Sequence, residues 1–429
     1  MGKGKKLIAL LLAVFTASGV FTGCSGSGGS AKTGASASQA SEKKVILTWP
    51  CIWVGTDTKA ASIKELVNSF NEKNSGKIQV NLEDQTDYQA YRDKIKTSIA
   101  AGTTPDIFTF DTDVDLMLKS NKLADLTQQL NQGWKDNFVS GAMDNAARDG
   151  KIRALPFEMA CTPVMYNKAL LQKVGYTEFP KTYDDLWVLC DKLKAAGITP
   201  FSQMTGENAW TTMLWYSQLV AAIGGKSVYS NVKDTAFVKA ADVIKKMYTY
   251  TTKDAVGAGA AVSGGHFLAG ETAIYMNGPW YIKNIQKNGK NNLYDNLGIA
   301  PAPVYKGGKG EENGYIGGVQ AYVCVGATDD EAKLKAETTF LKYLTDPESV
   351  GKIAKSSGSL FYVKISDDSI TDPVQKEINT QMKAAPYIVS NFQSQSPTAV
   401  ANDFPQALSS LVLGELTSQQ FVDELNSKR

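Results

Sequence analysis

From Val45 onward the chain alternates short β-branched or apolar runs with amphipathic segments of helical period, and this alternation leaves few architectures open. Val45-Ile46-Leu47-Thr48-Trp49 reads as a buried strand. Ile63, Leu66, Val67 and Phe70 then recur at helical spacing, and Lys77-Ile78-Gln79-Val80-Asn81-Leu82 alternates as a strand does. Tyr91, Ile95 and Ile99 mark a second helix that Gly102 ends, and Pro105-Asp106-Ile107-Phe108-Thr109-Phe110 forms another short strand. The opening is therefore β-α-β-α-β, an α/β unit. A second α/β region begins near Thr182, which with Asp185 makes a capping-box pattern; Leu186, Leu189, Cys190 and Leu193 continue one helical face to Gly197. Residues 297–303 and 315–325 bring strand character back late, and residues 404–425 read as helix with Leu408, Leu411 and Val412 on one face. At roughly 100 to 200 residues per domain, 429 residues call for two or three units.

Charge and residue counts remove several function classes. Lys and Arg number 45 against 43 Asp and Glu, so no long-range field attracts a polyphosphate, and no basic stripe supplies a local one; nucleic acid is not an expected partner. His266 is the one histidine, so a Ser-His-Asp triad must use it and a multi-histidine metal site is impossible. Cys51, Cys161, Cys190 and Cys324 are widely separated without a Cys-x-x-Cys pair, which argues against zinc and leaves disulfides and buried thiols both open. No cofactor and no metal are expected.

Lys3, Lys5 and Lys6 precede an apolar run from Leu7 to Ala17, which is a secretion signal and is far short of the ~20 residues of a membrane span. Small residues before Cys24, followed by Ser25-Gly26-Ser27-Gly28-Gly29-Ser30, resemble the lipobox of bacterial lipoproteins, in which the cysteine is lipidated and becomes the first residue. The expected organisation is a signal peptide over 1–23 and a lipid anchor at Cys24. Residues 24–42 form a tether too poor in apolar side chains to fold. Without residues 1–23, 42 basic residues face 43 acidic ones. The folded part is expected to be exported and held at the outer face of the cytoplasmic membrane.

Thr103-Thr104-Pro105-Asp106-Ile107, Gly150-Lys151-Ile152 with Leu155-Pro156, Met165-Tyr166-Asn167-Lys168, Pro180-Lys181-Thr182-Tyr183-Asp184-Asp185-Leu186, Met276-Asn277-Gly278-Pro279-Trp280, Tyr315-Ile316-Gly317-Gly318 and Val412-Leu413-Gly414-Glu415 occur in this order along the chain. Together they resemble the family 1 extracellular solute-binding proteins of ABC importers, the group that includes maltose-binding proteins. The resemblance implies an α/β, two-lobed, periplasmic-binding-protein-like fold with a ligand cleft between lobes that close by a hinge motion. It implies a first lobe from 43–156 plus 300–345 and a second from 157–299 plus 346–429. It also implies a monomer that captures a carbohydrate, an oligosaccharide by expectation, and delivers it unaltered to an ABC permease in the membrane.

A sugar presents apolar C–H faces and a rim of hydroxyls, so its site needs aromatic surfaces and hydrogen-bond partners for each buried hydroxyl. In open α/β sheets ligands lie beyond the carboxyl ends of strands. That criterion selects Trp53 and Asp57 after the first strand, and Phe110, Asp111 and Asp113 after the strand 107–110. The family places ligand contacts in the same loops. Asp113 is equally suited to cap the helix starting at Val114, and Trp53 to pack in a core. By resemblance, Trp280 is the aromatic that stacks on sugar. Glu207 and Trp210 occupy the segment that supplies a carboxylate and an aromatic, and Gln320 follows the Gly317-Gly318 strand. Phe404 stands near another family aromatic, with core packing as its structural alternative. Phe110 replaces the tryptophan of maltose-binding proteins, which points to a different glycan.

Two other functions compete. Asp111, Asp113, Glu158 and Glu207 include pairs of carboxylates that could serve a secreted glycoside hydrolase as acid and base, although no local feature separates a nucleophile from an acid. A solute-binding protein for a polyamine, peptide or metal is the third reading, its metal version weakened by the absence of a His/Cys cluster.

Overall fold

The computed structural model describes residues 43–53, 57–85 and 87–429. Strand β1 (Val45–Cys51) pairs in parallel with β2 (Ile78–Asp84). The helix Ala60–Lys73 that connects them buries Ile63, Leu66, Val67 and Phe70, the positions its periodicity selects. The helix Tyr88–Ala100 follows, capped by the Asp87 side chain, and leads to β3 (Ile107–Phe110), all four of whose residues are buried. The Asp106 carboxylate accepts from Thr48 N and Oγ1 at 2.7 and 2.9 Å, tying β1 to the entry of β3. A two-residue hairpin, β4 (Ala147–Arg148) and β5 (Lys151–Ile152), turns at Asp149 and Gly150. Both turn residues have positive φ, as a type I′ turn requires.

The remaining strands are β6 (Leu155–Cys161), β7 (Val164–Asn167), β8 (Thr199–Phe201), β9 (Thr272–Met276), β10 (Leu297–Ala300), β11 (Tyr315–Val325), β12 (Leu360–Phe361) and β13 (Ile388–Val389). One sheet has the order β10-β7-β9-β8. The other centres on β6 and β11: β12 flanks β6, β13 pairs with the first residues of β11, and β3 pairs with its last.

The buried side chains divide the chain into two lobes. One core holds Leu47, Trp49, Phe70, Phe157, Val323, Phe340 and Ile353; the other holds Phe201, Trp215, Tyr216, Ile274, Phe404 and Phe421. β6 and β11 run from one to the other: Leu155 and Val323 pack in the first core, Ile316 packs in the second, and Cys161 packs in a smaller cluster with Met165, Tyr275 and Leu297 on the β10-β7-β9-β8 sheet. A third crossing lies at β12, where Leu360 faces the second lobe and Phe361 the first.

Some residues near the expected lobe limits pack as follows. Ala302 packs in the second lobe and Val304 N donates to Lys181 O at 2.9 Å, so the return to the first lobe comes within β11. Val350, Ile353 and Ala354 of the helix Pro347–Ser357 pack in the first lobe, beyond the expected limit at 345. The closing helix is two helices, Thr398–Leu413 and Ser418–Ser427, because Gly414 takes φ +82° and Thr417 starts a new capping box. Cys51, Cys161, Cys190 and Cys324 are buried free thiols, the second of the two states left open by the sequence. Burial pushes the Cys161 thiol up to about 12. No helix among the described residues is long and apolar enough to cross a membrane. Cys24, the signal segment and the tether lie outside the described residues.

Candidate ligand-binding site

Two clusters hold the side chains that sequence analysis selects. The first, in the first lobe, surrounds a cavity of about 30 Å³ bounded by Trp53, Tyr88, Arg92, Phe110, Asp111 and Gln320, among others. Two buried ion pairs frame it. Arg92 Nε and Nη2 donate to Asp111 Oδ1 and Oδ2 at 2.9 and 2.5 Å, a bidentate pair. Lys59 Nζ lies 3.1 Å from Glu158 Oε1 and 3.3 Å from Asp57 Oδ1, and 5.8 Å from the centre of the Trp53 ring. Burial opposes the Lys59 charge, but Glu158 and Asp57 outweigh it and hold the ammonium above the usual lysine range.

Gln320 reaches this cavity through a β-bulge. Val319 stands opposite Met159 and Ala321 opposite Glu158, so Gln320 is the extra residue on β11. Bulges re-aim side chains in this way. Its Oε1 is buried and has no hydrogen-bond partner among the described residues.

The second cluster belongs to the second lobe. Trp210 and Trp280 are half-buried, with ring centres 6.1 Å apart and planes at 51°. Asn277 braces Trp210 and the turn that leads to Trp280: its Oδ1 accepts from Trp210 Nε1 at 3.3 Å and from Gly278 N at 2.8 Å. Gly278 permits the close approach of Trp280, since a Cβ there would fall 2.2 Å from the indole ring. Before Trp210, Glu207 and Ala209 both have φ near +50°, an arrangement that non-glycine residues adopt at some cost and that clusters at functional sites.

The β12 crossing joins the two clusters. Ser359 Oγ donates to Glu158 Oε1 at 2.8 Å, while a Cβ on the preceding Gly358 would lie 3.2 Å from Pro279 O, next to Trp280. Three further bonds run between these lobes: Gln393 Nε2 donates to Asp111 Oδ2 at 2.9 Å, and Thr398 N and Oγ1 donate to Asp113 at 3.1 and 2.5 Å.

The structure brings Trp53, Asp57, Phe110, Asp111 and Gln320 together, and separately pairs Trp210 with Trp280. It moves three residues away from the roles expected of them. Phe404 is 1% exposed, with its ring 5.3 to 5.8 Å from Phe392, Tyr216 and Phe421, and is core. Asp113 makes no side-chain cap for its own helix; at φ +51° it turns both oxygens to the head of the helix Thr398–Leu413. Glu207 is exposed and accepts from Ala260 N at 3.2 Å, capping the helix Ala260–Leu268. Trp53 is 2% exposed and packs against Phe157 at 5.5 Å, so only part of its ring borders the cavity. Sequence reasoning missed Lys59, Tyr88, Arg92, Gln393 and Ser359. Their partners lie 31 to 282 residues away, except for Asp111, 19 residues from Arg92, and Asp57, two residues from Lys59. The only local signal was two basic residues on helical stretches whose other charges point to solvent.

Among the described residues no group of three or more His, Cys, Asp or Glu side chains is placed to hold a metal. His266 instead lies between Asp254 and Glu271, at 2.8 and 2.6 Å, on the second lobe's surface.

Two lobes joined by three crossings, with a polar cluster in one and a pair of half-buried indole rings in the other, are the architecture of two-lobed binding proteins. Residues 55–351 match the family of bacterial extracellular solute-binding proteins, and the chain belongs to it. A probable sugar-binding periplasmic protein of Mesorhizobium japonicum is 27% identical over 169 residues, 37% of this chain and 40% of that one. An sn-glycerol-3-phosphate-binding periplasmic protein of Rhizobium meliloti is 26% identical, over 52% of this chain and 53% of that one. The matches thus span about half the length of these relatives or less. A solved chitin oligosaccharide binding protein shares the fold, with a TM-score of 0.81 at 23% identity over 90% of this chain and 98% of the other.

Proposed function

We propose that this chain is the extracellular capture component of an ABC importer for a carbohydrate, most naturally an oligosaccharide. The observation that carries the reading is the Trp210–Trp280 pair, half-exposed and braced by Asn277, joined through one crossing to a polar cluster with an unmet acceptor at Gln320. Aromatic faces suit the C–H faces of a sugar and the polar cluster suits its hydroxyls. The sugar-binding relative and the oligosaccharide-binding structure support the same class.

In this reading the lobes close over the glycan because it contacts both, which gives it higher affinity for the closed state. The permease then receives it unaltered. The protein acts as a monomer, anchored by lipid through Cys24 at the outer face of the cytoplasmic membrane. Ligand contacts come from Trp280, Trp210, Gln320, Asp111, Phe110 and the exposed edge of Trp53, with Asp57 holding Lys59 in place.

Calorimetric titration against neutral oligosaccharides, with product analysis of the same mixtures, tests the proposal. Saturable one-to-one binding with the glycan recovered intact is expected. Turnover to shorter sugars, or tight binding only to peptides or polyamines, contradicts it.

A further inference from the structure

We infer that the polar cluster around the first-lobe cavity selects by charge: the cavity, about 30 Å³, has room for one hydroxyl of an uncharged glycan, and the cluster excludes a glycan that presents a phosphate or carboxylate there. The inference rests on the carbohydrate reading above and narrows its substrate class. Family membership does not decide the matter, because a relative binds sn-glycerol-3-phosphate.

Two cations border the cavity region, and both are already committed. Arg92 has Nε and Nη2 on the two oxygens of Asp111, and Lys59 sits between Glu158 and Asp57. Among the described residues around the cavity three carboxylates face two cations, which leaves no uncompensated positive charge to replace the hydration of an incoming anion. Taking a phosphate or carboxylate out of water without such a charge is strongly unfavourable.

The hydrogen-bonding inventory points the same way. Gln320 Oε1 is buried without a donor among the described residues, and it is held there by the bulge opposite Glu158. A sugar hydroxyl or a protonated amine can donate to it. An ionised phosphate or carboxylate offers only acceptors, and leaves it unmet beside other acceptors.

The test is titration of the full chain with matched probes. Maltose, xylotriose and glycerol serve as the neutral members of the pairs, with maltotriose, raffinose and diacetylchitobiose as further neutral probes. Maltose 6′-phosphate, glucuronate-capped xylotriose and sn-glycerol 3-phosphate serve as anionic ones. The neutral member is expected to bind at least 30-fold more tightly than its anionic counterpart. Asp111→Asn, which releases part of the Arg92 charge, is expected to narrow that ratio at least tenfold, and Gln320→Met to weaken the neutral probe about tenfold. Neutral and anionic members binding within threefold of each other would overturn charge selection while leaving the carbohydrate reading intact. Failure of every sugar, neutral or charged, removes the carbohydrate reading and this inference with it.

Discussion

The two lobes approach the proposed ligand with opposite chemistry. On the first-lobe side Lys59, Glu158, Arg92 and Asp111 are interlocked before any ligand arrives, three of them at most 7% exposed. On the second-lobe side Trp210 and Trp280 are neutral and half-exposed, with one amide, Asn277, bonded to Trp210 and to the backbone just before Trp280. One side is a fixed polar frame whose groups satisfy each other, and the other is an open apolar face. The contrast separates two roles that a list of site residues merges. In the proposed site the ion pairs set geometry and charge, and the rings contribute contact area.

Variants can break or sharpen this contrast. The largest effect is expected on stability. Lys59→Met strands Glu158 in a buried environment and should cost ~3–5 kcal/mol in denaturant unfolding, whereas Lys59→Met combined with Glu158→Leu should recover much of it. Equal losses in the single and double variants would mean that the pair is not a unit. On the other side, Trp280→Ala should leave stability nearly unchanged and weaken oligosaccharide binding by ~2 kcal/mol, about 30-fold, as removal of an aromatic anchor does. A folded Trp280→Ala protein with the parent dissociation constant would remove Trp280 from the site.

A third difference concerns pH. Glu337 is buried in the first lobe, both its carboxyl oxygens lacking a partner among the described residues, and burial pushes it up to about 8 against the pull of Lys333. A carboxyl raised in the folded state is neutral in both states below about 4.5, where it costs nothing. Stability is then lost as the pH rises from there through about 8. Glu337→Gln should flatten that decline and stabilise the protein by ~1–2 kcal/mol at pH 9, read from urea midpoints. The smallest effect separates shape from charge at Asp111. Asp111→Asn keeps an acceptor for Gln393 and Arg92, so it should cost roughly 1 kcal/mol less than Asp111→Ala in binding free energy. Equal losses from the two would show that only the charge matters.

The elements were largely legible in the sequence. Apolar periodicity located the opening strands and helices, and Thr182 caps its helix through Asp185 N as its pattern implies. The motif Asn277-Gly278-Pro279-Trp280 identified the ring that Gly278 accommodates. What stayed hidden depends on contacts between distant segments. Phe404 looks the same in sequence whether it lines a cleft or packs on Tyr216, and the lobe that Asp113 serves is decided by Thr398, 285 residues further on. Gln320 owes its unmet acceptor to a register shift against Glu158, which no local pattern encodes. β11 likewise runs from one core to the other within a single strand, so no sequence boundary marks where it crosses.

A crystal structure with the tightest-binding neutral oligosaccharide of the titration series tests the central claim most directly. One glycan is predicted to span the lobes, with a sugar face on the Trp280 ring and a hydroxyl donating to Gln320 Oε1. A glycan bound to one lobe alone, or seated away from both Trp280 and Gln320, would contradict the account.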